Sequence, residues 1–169
     1  MFDSIESFSE AATGMAEELF GVELDYSEKS LEHVEDILDQ IWNSLSRKGI
    51  GKLFGKVKDL SEVWDWLSLV SMMFSDDQDT SSRGSPSDDD LWVMSKVWGS
   101  YIGKVIEDRW GGEWGEPMEV GNHTAMTLNV SGIKIVPTVK VYKRLTNGPE
   151  DNILVYYKVL SSKFQERKE

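Results

Sequence analysis

The chain has two histidines, His33 and His123, and no cysteine. Imidazole acid–base catalysis therefore has two candidate groups, while thiolate nucleophiles, disulfides, CxxC redox pairs and cysteine zinc sites have none. Neither histidine lies in a nucleophile, zinc or triad motif, and His33, beside a helical apolar stripe, reads as a boundary or surface residue. Glu107, Asp108 and Glu113 near Tyr101 could serve an enzyme that works with carboxylates and a phenol, but their spacing does not require it. Gly99 and Gly103 are four apart, a spacing that suits close packing of a helix. A phosphate cradle would need GxxxxGK[ST] or GxGxxG, and neither occurs. The sequence thus assigns no catalytic residue, no metal site and no cofactor.

What it does offer is charge. Glu28, Glu32, Glu35, Asp36 and Asp39 recur along one side of a segment whose other side is apolar. A row of carboxylates on a straight helix diverges into solvent and cannot converge on one ion, so calcium or magnesium is not expected there. The ordinary reading is a solvated helix face. The functional reading is a docking face for a basic protein. That reading gains weight because residues 1–46 hold 12 of the 30 acidic residues and 1 of the 18 basic ones, whereas residues 133–169 hold 4 and 8. With a net charge of -12, most of the surface should repel phosphate backbones and attract basic proteins, so nucleic acid is not an expected partner. Seven tryptophans add candidate anchors; Trp64 and Trp66, two apart, cannot point the same way from one helix, and Trp66 is the one expected at an interface. The expected partner-binding set is Glu28, Glu32, Glu35, Asp36, Asp39 and Trp66.

The elements that must carry these residues follow from hydrophobic period and punctuation. Residues 4–20 place Phe8, Ala11, Ala12, Met15, Leu19 and Phe20 at helical spacing and stop at Gly21. Ser27 is an expected N-cap for a second helix, with Leu31, Val34, Ile37, Leu38, Ile41, Trp42 and Leu45 on its apolar side. Asp59 and Glu62 have capping-box spacing for a third helix, 60–74, whose apolar positions nearly encircle it and call for a core or a partner copy around it. Residues 75–90 contain no hydrophobic residue and read as a flexible acidic loop, with Asp88 to Asp90 placed to favour the start of a helix running from Leu91 to Gly111. Beyond it the pattern turns strand-like over 114–120, 124–130 and 133–136, with Ser131-Gly132 as a hairpin turn. Residues 137–147 mix strand-favouring Thr138, Val139 and Val141 with a helix-favouring Pro137, and are read as helix. A final amphipathic helix opens at Pro149 and carries Ile153, Tyr157, Leu160 and Phe164. The expected fold is a single α+β domain over 1–169: a helical N-terminal half, then a small antiparallel sheet and a C-terminal helix.

The stretch GSYIGKVIEDRWGGEW, Gly99 to Trp114, resembles the pattern GxYxGxV followed by GGxW in a family of small bacterial proteins for which no activity is known, and LDYSEKSLEHVEDIL and KRLTNGPED resemble its flanking segments. The resemblance implies a bacterial source and a single domain, and no activity. The start MFDSIESF is acidic and leads into no signal-like apolar run, and the longest apolar stretch, Trp66 to Phe74, falls far short of the roughly 20 residues that span a bilayer. A cytoplasmic protein without membrane association is expected. The function expected from all this is non-catalytic binding of a basic protein partner, as in an immunity or antitoxin-type inhibitor of a toxin. The alternative is a homo-oligomeric structural or adaptor protein, a homodimer in its simplest form.

Overall fold

The computed structural model describes residues 2–46 and 87–168. The expected helix at 60–74, Trp66 within it and most of the 75–90 segment lie outside the described residues. The architecture is α+β, with helices first, a small antiparallel sheet in the middle and a helix at the C-terminus. Helix α1 (Phe2–Phe20) ends at Gly21, whose φ of 65° is left-handed and open to glycine at little cost. Helix α2 (Ser30–Ser46) begins after a turn in which the Ser27 hydroxyl accepts from the Ser30 amide at 3.2 Å, so the expected N-cap residue holds the turn that leads into the helix, and the helix itself starts three residues later. Its apolar side, Leu31, Val34, Ile37, Leu38 and Ile41, is fully buried.

Helix α3 (Asp88–Trp110) is packed mostly against α1 and against the helix that follows the sheet. It starts earlier than a loop over 75–90 implies. Ser87 accepts from the Asp90 amide and the Asp90 carboxylate accepts from the Ser87 amide, a closed capping box, and Asp88 to Asp90 form the first turn, where carboxylates complement the positive end of the helix dipole.

The three expected strands are five short ones: β1 (Glu113–Trp114), β2 (Met118–Val120), β3 (His123–Ala125), β4 (Leu128–Val130) and β5 (Ile133–Ile135). Strands β1, β4 and β5 form one antiparallel sheet with β4 central, and β2 and β3 form a separate ribbon. The break has a local cause. Pro117 has no amide hydrogen to donate, and the Thr127 hydroxyl takes up the Glu116 carbonyl at 3.0 Å, so pairing lapses between the ribbon and the sheet. The β4–β5 turn is Ser131-Gly132, both at positive φ, as a two-residue hairpin of matching twist requires.

Helix α4 (Pro137–Asn147) begins with Pro at its first position and has no side-chain N-cap. A short 3₁₀ turn, Pro149–Asp151, leads to α5 (Ile153–Lys168), so the last helix opens at Asn152 and Ile153, with Asn152 Oδ1 accepting from the Leu154 and Val155 amides. Its inner face is Ile153, Tyr157, Leu160 and Phe164, as the spacing predicts. The five α-helices among the described residues and the three-stranded sheet contribute to one hydrophobic core around Trp98, Tyr101, Met15 and Phe164.

Candidate functional site

The five acidic candidates do not share one environment. Residues 32 and 36 are one turn apart and face solvent, as do Glu28 and its neighbour Asp25. Residues 35 and 39, about 100° further round the helix, face α4. This corrects the expectation of a uniform solvated stripe at Glu35, which is 7% exposed. Its Oε1 accepts from Arg144 Nε at 2.8 Å and lies 2.7 Å from Arg144 Nη2, and its Oε2 accepts from the Ile153 amide at 2.9 Å. Asp39 Oδ1 takes a second bond from Arg144 Nη2 at 2.7 Å. Arg144 is 1% exposed. Two carboxylates of α2 thus neutralise a buried guanidinium of α4, and one of them also caps the first amide of α5.

Glu28 is half committed in the same way. It accepts from the Tyr157 hydroxyl and lies 3.4 Å from Arg109 Nε, while the Trp110 indole donates to Tyr157 at 3.2 Å. Burial, reinforced by the bond to Glu28, pushes the Tyr157 phenol up to about 12. The carboxylates of α2 left to solvent are therefore Glu32 and Asp36, with Asp25 and Glu23 ahead of them. On α1, Glu10 and Glu17 also stand in solvent, without a cation among the described residues.

The segment 99–114 is occupied in packing. A Cβ at Gly99 would lie 2.6 Å from the Thr138 backbone, and one at Gly103 would lie 2.3 Å from the Trp114 ring. Glycine at the first position lets α4 begin against α3, and glycine at the second makes room for the tryptophan that closes the motif. Trp114 is then pinned by donation from its indole to Glu107 at 3.1 Å, and Glu107 in turn lies 3.6 Å from Lys104. Tyr101, between the glycines, bonds the Ser30 hydroxyl at 2.8 Å and receives the Tyr26 amide at 2.9 Å. Glu107 and Tyr101 are thus drawn to different structural partners. Segments 24–38, 99–114 and 143–151 hold one another: Tyr26 and Ser30 to Tyr101, Glu28 to Arg109, and Glu35 to Arg144.

Of the histidines, His33 is exposed. His123 stacks on Trp92 with ring centroids 4.8 Å apart, and its Nε2 is 3.1 Å from Asp88 Oδ2. Tyr142 donates to the other oxygen of Asp88, and that bond, with the one from His123, holds the Asp88 carboxyl below its usual range. This cluster ties the start of α3 to β3 and α4. Among the described residues no group of three or more His, Asp or Glu is arranged to hold a metal ion, and no helix is long and apolar enough to cross a membrane. Comparisons of the chain with protein-family models, with curated proteins and with solved structures found no match.

Two residues that matter here do not stand out in the sequence. Arg144 falls at an inward position of the α4 stripe, with Val141 three residues before it and Leu145 next to it, and an arginine on a core face is a signal for a buried acid elsewhere. Lys96 sits on α3 between Ser95 and Val97, and only its surroundings in three dimensions distinguish it.

Proposed function

We propose that the protein is a non-catalytic binder of a basic protein partner, most concretely a bacterial immunity or antitoxin-type inhibitor acting in the cytoplasm. The observation that carries this reading is the uncompensated charge of the N-terminal helices and the turn between them: Glu10, Glu17, Glu23, Asp25, Glu32 and Asp36 are all solvent-exposed, and none forms an ion pair with a lysine or arginine among the described residues. Carboxylates so arranged accelerate encounter with a cationic surface and reject polyanions. Glu35, Asp39 and Glu28 support the binding face from within by holding α2 rigidly on α4 and α5, which limits the ordering cost of association.

The test is a charge-reversed triple variant, Glu23→Lys, Glu32→Lys and Asp36→Lys, compared with the wild-type chain as bait in a bacterial lysate at low and high salt. The wild-type bait should retain a basic protein that is released as salt rises. The variant should associate with that protein at least about tenfold more slowly at low salt, the difference vanishing at high salt. Equal association rates at low salt would end this proposal. A second reading, a homo-oligomer, is favoured by Val155 and Val159, which lie one turn apart on α5 at 60% and 49% exposure. A monomer in sedimentation at high concentration would remove it.

A further inference from the structure

An open cavity of about 180 Å³ lies where α1, α3, the β2–β3 ribbon and the first turn of α4 meet. Its polar lining is Lys96, Ser100, Thr124 and Thr138, and its apolar lining includes Ile5, Phe8 and Met126. Lys96 and Ser100 are one turn apart on α3 and so lie one above the other on the same face.

Lys96 is unlike the other shielded cations. Among the described residues, the lysines and arginines that are buried or half-buried are Lys96, Lys104, Lys140 and Arg144. Lys104 pairs with Glu6 and Glu107, Lys140 with Asp151, and Arg144 with Glu35 and Asp39. Lys96 has no acid beside it among the described residues, in a chain with 30 acids and 18 bases. Withdrawing an ammonium from water without a counter-charge is costly, and burial lowers the Lys96 pKa accordingly. The hydroxyls beside it are also unspent: Ser100 and Thr138 are 2% and 6% exposed, and neither side chain has a hydrogen-bond partner among the described residues. Thr138 stands in the first turn of α4, a helix without a side-chain N-cap, whose positive dipole end faces the same place.

We propose that this cavity binds a small organic monocarboxylate, with its carboxylate held by Lys96, Ser100 and Thr138 and its apolar part against Ile5, Phe8 and Met126. One ammonium and neutral hydroxyl donors balance one negative charge; a dianion would leave charge uncompensated in a strongly acidic protein. A cavity of about 150 Å³ accepts a benzene ring, so the space suits an aromatic or short aliphatic acid. The site shares no residue with the acidic face of α2.

The experiment is a titration of the full chain by amide NMR with benzoate and hexanoate, and with the neutral counterparts benzamide and hexanol. Benzoate or hexanoate should bind saturably, with the shifts centred on Lys96, Ser100 and Thr138, and at least about tenfold more tightly than its neutral counterpart. Lys96→Met, which keeps the stem and removes the charge, should weaken carboxylate binding about 10- to 100-fold, the range for a charge-assisted hydrogen bond, and leave the neutral compounds unaffected. The wild-type measurement also has an arm that requires no variant: saturating benzoate should protect Lys96 from reductive methylation, read by peptide mass spectrometry. Absence of saturable binding by either acid, equal affinity for acid and neutral counterpart, or unchanged methylation of Lys96 would each overturn the proposal.

Discussion

Glu35 and Arg144 should be worth much more together than apart. Arg144 is almost fully buried, and its Nη1 has no hydrogen-bond partner among the described residues, so its burial is offset by Glu35 and Asp39. Asp39 is the weaker of the two because its side chain is 44% exposed and water screens it. Glu35→Gln keeps the shape and an oxygen for the Ile153 amide but removes the charge, leaving the guanidinium with one screened carboxylate. Breaking a buried pair from one side costs about 3 kcal/mol or more. Arg144→Met leaves Glu35 buried with a single amide donor, and should cost about the same. The double variant keeps a neutral carboxamide oxygen on the Ile153 amide and puts an apolar side chain where the guanidinium was, so neither position strands a charge; it should be less destabilised than either single variant, which with singles of about 3 kcal/mol each means a coupling of about 3 kcal/mol or more. Urea unfolding followed by fluorescence and by circular dichroism measures this directly. With a slope of about 2 kcal/mol/M, each single variant should lower the midpoint by about 1.5 M. Single-variant effects that add within about 0.5 kcal/mol would refute the account, since additivity is what independent residues give.

Gly103→Ala should destabilise by about 1 to 3 kcal/mol and shift tryptophan emission, because the new methyl would meet the Trp114 ring at 2.3 Å and Glu107 keeps that ring from turning away; unchanged stability and emission would show that the ring is free to move. The Tyr157 phenol, raised from 10.0 to about 12, holds its proton more tightly in the folded than in the unfolded chain. The stability it contributes is complete below pH 10.0 and is lost as pH rises towards about 12. Tyr157→Phe should therefore flatten the alkaline fall of the unfolding midpoint, and an unaltered slope would place the titration elsewhere.

Where a residue's surroundings are set by its own helix, the sequence reveals them. The buried faces of α2 and α5 follow from spacing alone, Gly21 and Gly111 end their helices, and the acidic triplet at Asp88 marks the start of α3. The roles of Gly99, Gly103 and the glycine pair after α3 as packing and stop residues are equally readable, because no ligand-loop spacing competes with them. Contacts between distant segments are not readable. Glu35 and Glu32 look alike among the acids of one helix, and only the arrival of α4, 109 positions later, separates a buried ion-pair partner from a solvated one. The strand pattern likewise gives the right type of element but is blind to the lapse at Pro117, where one proline and one threonine hydroxyl divide a run of β-favouring residues between two sheets. Lys96 illustrates the same limit at the cavity: nothing on α3 tells which side chains stand across from it.

The bond from the Ile153 amide to Glu35 spans 118 positions, and that from Tyr157 to Glu28 spans 129. A chain made from its N-terminus releases α2 long before α4 and α5 exist to receive it. Until then the apolar side of α2 lacks part of its cover and Glu35 lacks the Arg144 guanidinium, so the order of synthesis sets the order of assembly. The C-terminal helices act as the closing step, and the closure of so long a loop by a few polar bonds makes folding slow relative to the fast local formation of the helices themselves.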